Sequence, residues 1–290
     1  MSGLIYHEIV DKRTGDYDPL KIRFLGTASF IIQNKKRSIV LDPFVSRPSF
    51  PRLLFPLNCN AKFIADKFPQ ANDILIGHSH YDHLMDAPHL CSIRSGSRII
   101  GGRSTALIAE ALGVSRDSII EVTGHETIEC GCAQVRPIPS KHAPVIGNKI
   151  FFDGYVTKKP TPPLFIWDYK TGEVFDWHIK IDGKQIVHIG SSDFIEEEIE
   201  KIETTPIDVV CLCAANWRHR KEEYIRMVID KLQPKYILPC HWDNIFKPWG
   251  KGSRRPSIFF RLGLPNLIER IHAEENVEVI LLDFDGVLLL

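Results

Sequence analysis

Four side chains that can bind a metal ion fall within six consecutive positions, in the segment His78-Ser79-His80-Tyr81-Asp82-His83. The apolar run before it, residues 73–77, predicts a short buried strand that ends at a glycine. His78 and His80 are two positions apart, so an extended backbone directs both imidazoles to the same side. Asp82 and His83 follow, where a turn can direct them to a neighbouring position. The pattern indicates a metal site at a strand end, because so many buried polar groups would otherwise all need hydrogen-bond partners.

Residues that can bind metal also follow three later predicted strands. They are His142 after the strand at residues 135–139, Asp193 after the strand at 185–189, and His241 after the strand at 236–239. Strand ends at one edge of a sheet converge, so we expect these side chains to meet the first four. Taken singly, each has an ordinary explanation, since Asp193 can cap a following helix and the two histidines can be loop residues.

The seven side chains divide into two sets of ligands. We predict that the first metal ion is bound by His78, His80 and His142, and the second by Asp82, His83 and His241, with Asp193 bridging the two. Imidazole and carboxylate ligands without a thiolate suit Zn²⁺, and Mn²⁺ and Fe²⁺ are the alternatives. Asp42, at the end of another predicted strand, is a candidate to accept a hydrogen bond from a ligand imidazole or from the ligand loop. The alternative for Asp42 is a plain turn aspartate before Pro43.

The elements that must position these residues change in type along the chain. Residues 21–42 indicate an antiparallel meander, and later residues alternate between short strands and helices. We therefore expect one domain over residues 1–290, with an α/β fold of two mixed β-sheets and helices outside. Two proline-rich, aromatic inserts interrupt it at residues 43–70 and 149–168, and they either form a lid, bind lipid or pack on the core.

Composition excludes several classes of protein. The chain has 290 residues, 44% of them hydrophobic, which suffices for a sizeable core and excludes a disordered protein. Lys plus Arg equals Asp plus Glu at 36 each, so neither a broad nucleic-acid surface nor a polybasic membrane anchor is expected. No signal-peptide pattern opens the chain and no apolar run is long enough to span a membrane, so we expect a soluble, cytoplasmic protein.

The cysteine pattern does not indicate a disulfide framework, because seven cysteines are an odd number spread over a long chain. The pairs Cys130/Cys132 and Cys211/Cys213 both lie in apolar, strand-like runs. Thiols are commonly buried, so we expect free buried cysteines at these positions in preference to a zinc clip.

The order His78-x-His80-x-Asp82-His83, then His142, Asp193 and His241, resembles the metallo-β-lactamase superfamily. Three shorter segments are similar to one branch of it, which contains ascorbate-6-phosphate lactonase-like hydrolases and N-acyl-phosphatidylethanolamine phospholipase D-like proteins. They are Gly26-Thr27-Ala28-Ser29, Leu41-Asp42-Pro43 and His241-Trp242. The resemblance covers residues 21–242 and implies an αββα sandwich with a dinuclear metal site between the sheets. It leaves the two inserts, and with them the substrate, undefined.

The resemblance implies a metal-dependent hydrolase with two metal ions. Two ions about 3.5–4 Å apart can share a water molecule and lower its pKa, so the expected nucleophile is a metal-bridging hydroxide. It would attack an ester, lactone, amide or phosphoester, and Asp82 would be the catalytic residue that passes a proton to the leaving group. Oxygen-reducing di-iron members typically carry a glutamate where this chain has His80, so the resemblance favours hydrolysis. An iron-dependent redox or dioxygenase enzyme and a non-catalytic binding protein with the same fold are the alternatives.

Basic residues near the predicted site suggest that the substrate carries an anionic group. Candidate substrate-binding residues after a strand and after His241 are Trp217, Arg218, His219 and Lys247, with Lys251, Arg254 and Arg255 further along. Arginine matches carboxylate and phosphate geometry, although a solvated charged loop is the alternative. The expected partner is a small-molecule substrate, with neither nucleic acid nor a membrane anchor, and a homo-oligomer is compatible with the sequence.

A second short motif leads to a different family and is set aside. The segment Asp283-Phe284-Asp285-Gly286-Val287 is similar to the nucleophile motif of haloacid dehalogenases. That motif opens a Rossmann-like domain, and too few residues follow it here. We expect a last strand at residues 277–282 and then an Asp-Gly turn.

Overall fold

Two β-sheets form the centre of the molecule in the computed structural model, which describes residues 5–15, 18–202, 206–250, 263–274 and 277–290. The first sheet has eight strands. In spatial order they are β1 (His7–Asp11), β15 (Leu282–Leu289), β2 (Lys21–Phe24), β3 (Phe30–Gln33), β4 (Ser38–Leu41), β5 (Asp73–Leu75), β6 (Arg98–Gly101) and β7 (Ile119–Glu121). The pairs from β15 to β4 are antiparallel and those from β4 to β7 are parallel, so the sheet is mixed.

The second sheet has seven strands and is also mixed. In spatial order they are β14 (Glu278–Val279), β13 (Tyr236–Cys240), β12 (Val209–Cys213), β11 (Lys184–Ile189), β10 (Phe175–Ile181), β9 (Ala133–Pro139) and β8 (Ile128–Cys130). The strands from β11 to β14 run parallel, while β8, β9, β10 and β11 pair antiparallel.

The described part of the chain contains seven α-helices. They are α1 (Ala61–Lys67), α2 (Tyr81–Leu84), α3 (Ala87–Ile93), α4 (Arg103–Ala111), α5 (Glu196–Ile199), α6 (Glu222–Arg226) and α7 (Gly263–His272). A π-helix, Met227–Leu232, continues α6. In α7 the buried residues Leu264, Leu267 and Ile271 recur at helical spacing, which gives the helix one apolar face.

Alternation along the strands places the core. In β3, Phe30 and Ile32 belong to the apolar cluster shared with the second sheet, whereas Ile31 belongs to the cluster under α1, α3 and α4. Successive strand residues point to opposite faces, so the first sheet is covered on both sides. The predicted α/β sandwich of two mixed sheets with outer helices is confirmed. We retain one domain over residues 1–290 as a proposal, which the cluster joining both sheets supports.

Three local features differ from the sequence-based expectations. The central strand β10 was not predicted, because Asp176 and His178 interrupt its apolar pattern although both are buried. Helix α1 lies inside the first insert, where the Asn60 side chain accepts a hydrogen bond from the Phe63 N–H at 3.2 Å and caps it. All seven cysteines are free, as expected, but Cys132 is exposed.

The predicted Asp-Gly turn near the C-terminus is wrong. Strand β15 runs through this segment, and its pairing with β1 shifts register between His7 and Ile9, which is a β-bulge. Asp285 has a left-handed φ of 63°, and a Cβ on Gly286 would lie 2.6 Å from the His7 carbonyl oxygen. Glycine is therefore required by the close approach of the β1 backbone and not by a chain reversal.

The described helices are all short, the longest α-helix being α7 with 10 residues. Within the described ranges, none is long and apolar enough to cross a lipid bilayer.

Candidate metal centre

The carboxyl ends of β4 and β5 in the first sheet and of β9 and β13 in the second meet at one edge of the sandwich. The loop after β5 carries the histidine-rich segment, and Asp42 directly follows β4. In the second sheet, His142 follows β9 and His241 directly follows β13. This edge is where α/β proteins commonly assemble sites, because loops from several strands converge there.

Gly77 allows the backbone after β5 to pass close to Asp42 and to Phe175. A Cβ on Gly77 would lie 3.2 Å from the Asp42 Oδ2 atom and 3.2 Å from the Phe175 carbonyl oxygen. The Gly77 N–H donates to Asp42 Oδ1 at 2.7 Å, and the Phe175 N–H donates to the Gly77 carbonyl at 2.7 Å. The start of the loop is thus fixed to both sheets before the first histidine.

His78, His80 and His142 form the first group of potential ligands. One ligand nitrogen from each lies within 4.8 Å of the others, and the three ring-centroid separations are 4.7–4.8 Å. His142 Nδ1 donates to the Ala143 carbonyl at 2.7 Å, which leaves its Nε2 lone pair free to bind a metal ion.

Asp82, His83 and His241 form the second group, again within 4.8 Å of one another. The Asp82 Oδ2 atom lies 3.3 Å from His241 Nε2 and 3.8 Å from His83 Nε2. The two groups adjoin, since the ring centroids of His78 and His83 are 3.8 Å apart. Six of the seven predicted ligands therefore gather at one place.

Two buried ring nitrogens indicate that these groups suit metal ions. Neither His78 Nε2 nor His241 Nδ1 has a hydrogen-bond partner among the described residues. An unpaired buried nitrogen costs free energy, and a metal ion would satisfy it. Three or more imidazoles with a carboxylate and no thiolate are a donor set that Zn²⁺ accepts.

The first group is adapted to stay neutral. Burial lowers the pKa of His78 well below its ordinary value, the pKa of His80 to about 4 and the pKa of His142 to about 3. The neighbouring imidazoles lower the pKa values of His78 and His142 further. Metal ions bind the neutral imidazole, so these lowered pKa values favour metal binding at neutral pH.

The second group combines opposite charges. Burial opposes ionisation of Asp82, but His83 and His241 outweigh it and lower the Asp82 pKa. Burial alone would lower the pKa of His83, but the carboxylates of Asp42 and Asp82 outweigh it and raise the pKa. Asp82 is therefore a carboxylate at neutral pH, available as an anionic ligand.

The metal-free protein is expected to lose stability as the pH falls from about 7 to about 5. The unfolded chain binds protons at His80 and His142 near the ordinary histidine pKa of about 6.5. In the folded chain the pKa of His80 is about 4 and that of His142 is about 3, so both rings stay neutral at pH values where the unfolded chain is protonated. Stability is thus fully present above the unfolded pKa and falls below it, by roughly 2 kcal/mol for each of the two at about pH 5. His83, Asp86 and Asp176 have raised pKa values, so their protonation stabilises the folded protein over the same pH range and offsets part of the loss.

Urea unfolding of the chelator-treated protein at both pH values measures this loss. His142→Gln removes one titrating group and should weaken the pH dependence. The matched variant His89→Gln, on α3 outside the two groups, should leave it unchanged. A free energy of unfolding that depends equally steeply on pH in the wild-type and His142→Gln proteins would contradict the assignment of a neutral, buried His142.

Asp42 fixes the orientation of His83, one member of the second group. Its Oδ2 atom accepts a hydrogen bond from His83 Nδ1 at 2.8 Å, and its Oδ1 accepts from the Gly77 N–H. The contact keeps the proton on Nδ1, so that His83 Nε2 faces Asp82 and the second group. Asp42 and His83 are both buried, which strengthens the pairing.

Asp193 is the predicted ligand that the structure does not bring into either group of the described residues. Its Oδ1 atom accepts hydrogen bonds from Arg220 Nε and from the Phe194 N–H, both at 2.8 Å. His219 Nε2 lies 3.8 Å from the other oxygen. The Asp193 carboxylate belongs to neither group, so its bridging role stays a prediction.

The structure places the predicted substrate-binding residues away from the cavity beside the two groups. Trp217 is buried and its Nε1 donates to the Gly263 carbonyl at 2.8 Å, and His219 faces Asp193. Arg218 and Lys247 are exposed and are not among the described residues that line the cavity. Lys251, Arg254 and Arg255 lie outside the described residues.

Two contacts at the site have no local signal in the sequence. Thr171 Oγ1 lies 3.0 Å from His80 Nε2, although Thr171 stands 91 positions further along the chain. Arg47, in the first insert, is buried and pairs with the buried Asp243, two residues after His241. Finding either required the three-dimensional arrangement, because each is a single polar residue in an irregular segment.

Comparison with known proteins gives concordant results. The family described as "Beta-lactamase superfamily domain" matches residues 21–241. A protein of Pyrococcus abyssi described as a UPF0173 metal-dependent hydrolase is 25% identical over 248 residues, which cover 84% of this chain and 92% of the relative. One of the same description from Pelotomaculum thermopropionicum is 29% identical over 234 residues, or 78% of this chain and 85% of the relative.

Two solved structures show the same fold. Igni18, a metallo hydrolase from Ignicoccus hospitalis, superposes with a TM-score of 0.61 at 15% identity and covers 94% of this chain and 98% of its own. CmlA, a diiron beta-hydroxylase from Streptomyces venezuelae, superposes with a TM-score of 0.59 at 16% identity and covers 96% of this chain and 55% of its own. At these identities the likeness extends to the fold alone.

Proposed function

Because the chain belongs to the beta-lactamase superfamily, whose domain matches residues 21–241, we propose that it is a hydrolase dependent on two metal ions. The first ion would be held by His78, His80 and His142, and the second by Asp82, His83 and His241. The observation that carries the proposal is that the two groups adjoin and border one cavity. The relatives described as metal-dependent hydrolases support the same class of reaction.

The bond that is cleaved would belong to an ester, lactone, amide or phosphoester. Divalent metal ions, Zn²⁺ in the first place, would lower the pKa of a water molecule and polarise the substrate oxygen. Asp82 lines the cavity, so its carboxylate lies where it can pass a proton to the leaving group. Asp42 fixes the ring of His83, which keeps the second group in one arrangement through the reaction.

Removal of metal tests the proposal. Treatment with a chelator is expected to abolish hydrolysis of p-nitrophenyl butyrate, and addition of Zn²⁺ is expected to restore it, because both the nucleophile and the polarised oxygen depend on the ions. The measurement is p-nitrophenol release alongside metal content. Bis(p-nitrophenyl) phosphate, assayed in parallel, separates esterase from phosphodiesterase activity.

His89→Ala serves as the control, since His89 lies on α3 and belongs to neither group. It should retain full activity and the same response to the chelator. Equal hydrolysis by the metal-free and metal-replete protein would refute the proposal.

A further inference from the structure

Most of the exposed large hydrophobic side chains among the described residues lie in two segments of the chain. Apart from Ile5 and Ile9, the exposed large hydrophobic side chains in the described ranges lie at residues 50–55 and 145–167. They are Phe50, Leu54, Phe55, Val145, Ile146, Phe151, Phe152, Tyr155 and Trp167. An exposed apolar patch of this kind marks a surface that binds something, because leaving it in water costs free energy.

Five of these side chains line a cavity of about 560 Å³ that the two groups border. Polar groups from the candidate metal centre are His80, Asp82, His83, His142 and His241. The apolar walls include Phe50, Ile146, Phe151, Phe152, Ile166 and Phe246. This volume lies within the range of about 300–1,000 Å³ that is typical of small-molecule cavities.

The walls are held by contacts to the body of the protein. The Thr171 N–H donates to the Phe152 carbonyl at 2.9 Å, and the Ala143 N–H donates to Ser191 Oγ at 3.0 Å. The rings of Phe50 and Phe246 meet edge to face with centroids 5.6 Å apart. The cavity is therefore largely formed before a ligand enters, which lowers the entropic cost of binding.

Away from the two ligand groups, the described lining offers no cationic side chain for an anionic group on the ligand. None of the described residues that line the cavity is Lys or Arg. The cationic side chains expected from the sequence to hold an anion, Arg218 and Lys247, are exposed elsewhere. Phe50, Ile146 and Phe151 are 66%, 65% and 48% exposed, so an apolar ligand would remove much hydrophobic surface from water.

We propose that the substrate is a neutral ester or amide with an apolar acyl chain of medium length, bound along these walls with its carbonyl above the two ligand groups. The cleavage of that bond rests on the proposed function, whereas the binding of the chain does not. Phe50, Ile146, Phe151 and Phe152 set the specificity for the chain.

Hydrolysis of p-nitrophenyl esters of increasing acyl length tests the specificity. Each buried methylene should raise kcat/KM about fourfold, so the four additional methylenes of octanoate over butyrate should raise it roughly 250-fold. Phe151→Ala should reduce kcat/KM for octanoate roughly tenfold and for butyrate less than twofold. The matched variant Phe55→Ala, exposed but outside the cavity lining, should change neither.

Binding of unreactive ketones to the metal-free protein separates this inference from the proposed function. In calorimetry, methyl octyl ketone should bind roughly 250-fold more tightly than methyl butyl ketone, and Phe151→Ala should reduce this ratio roughly tenfold. This binding without hydrolysis of any ester would leave the inference standing and refute the proposed function.

Other outcomes overturn the inference while the hydrolase remains. They are a rate that does not rise with acyl length, a preference for a monosuccinyl ester over a neutral one, and equal binding of the two ketones. Activity that increases only above the critical micelle concentration would show that the apolar residues contact a lipid surface instead of holding one chain.

Discussion

Replacing His142 with alanine is expected to remove one of two bound metal ions and to lower kcat/KM roughly a thousandfold. His142 belongs to the first group only, so the second group should still bind its ion. The loss is large because each ion stabilises charge that develops in the transition state, a contribution of several kcal/mol. Replacing His241 with alanine should give the same stoichiometry through the second group.

Metal content by mass spectrometry and steady-state kinetics on the same preparations provide the measurement. The variant with both substitutions should bind no ion tightly, since each group then retains only two of its three ligands. His89→Ala should keep wild-type content and activity. Full metal content in the His142→Ala protein would show that the first group is not a metal site.

The ligand groups could be anticipated from the sequence because their signals are local. His78, His80, Asp82 and His83 share one loop, and His142 and His241 each follow a predicted strand. The carboxyl ends of these strands lie at one edge, so strand prediction and residue type together indicated where the two groups form. The same reasoning explains why the fold class followed from the alternation of strands and helices.

The side-chain partner of Asp193 could not be predicted by the same reasoning. Asp193 follows β11 as predicted and is buried near the site, but its carboxylate forms an ion pair with a guanidinium 27 positions away. Strand-end position specifies where the backbone lies and leaves open which of several partners the side chain selects. That selection depends on Arg220, whose placement by a 3-10 turn after β12 has no signature in the sequence.

The strand β10 was missed for a related reason. Asp176 accepts a hydrogen bond from Ser140 Oγ at 2.8 Å, and His178 Nε2 lies 2.9 Å from Gln185 Oε1. These hydrogen bonds satisfy the polar side chains of Asp176 and His178, whose burial in a strand would otherwise be unfavourable. Tertiary contacts therefore override the apolar pattern on which strand prediction depends.

Among the residues that the sequence did not indicate, the buried Arg47 is expected to have the largest effect on stability. Its guanidinium pairs with Asp243, donates to Thr27 Oγ1 at 2.7 Å and lies 4.9 Å from the ring of Phe284. Asp243 Oδ1 accepts from the Thr27 N–H at 2.7 Å, and the Thr27 carbonyl accepts from the His241 N–H at 2.6 Å. The network joins the first insert to the loop that carries His241.

Arg47→Met is therefore expected to destabilise the protein by about 3–5 kcal/mol, the cost of leaving one member of a buried ion pair without its partner. Both side chains are fully buried, so water cannot solvate the Asp243 carboxylate that remains. Urea unfolding measures the loss. Arg103→Met is the matched control, because Arg103 is 55% exposed and its pair with Glu121 should contribute less than about 1 kcal/mol.

A second substitution separates charge from packing. Asp243→Asn removes the buried negative charge and retains an oxygen for the Thr27 N–H, so the double variant with Arg47→Met should be more stable than Arg47→Met alone. If the double variant is less stable than either single one, packing of the Arg47 side chain against Phe44 and Phe284 dominates, and the charge argument is wrong.

Metal affinity of the second group should fall roughly 10–100-fold in Arg47→Met, because the network holds the His241 backbone at its left-handed φ of 54°.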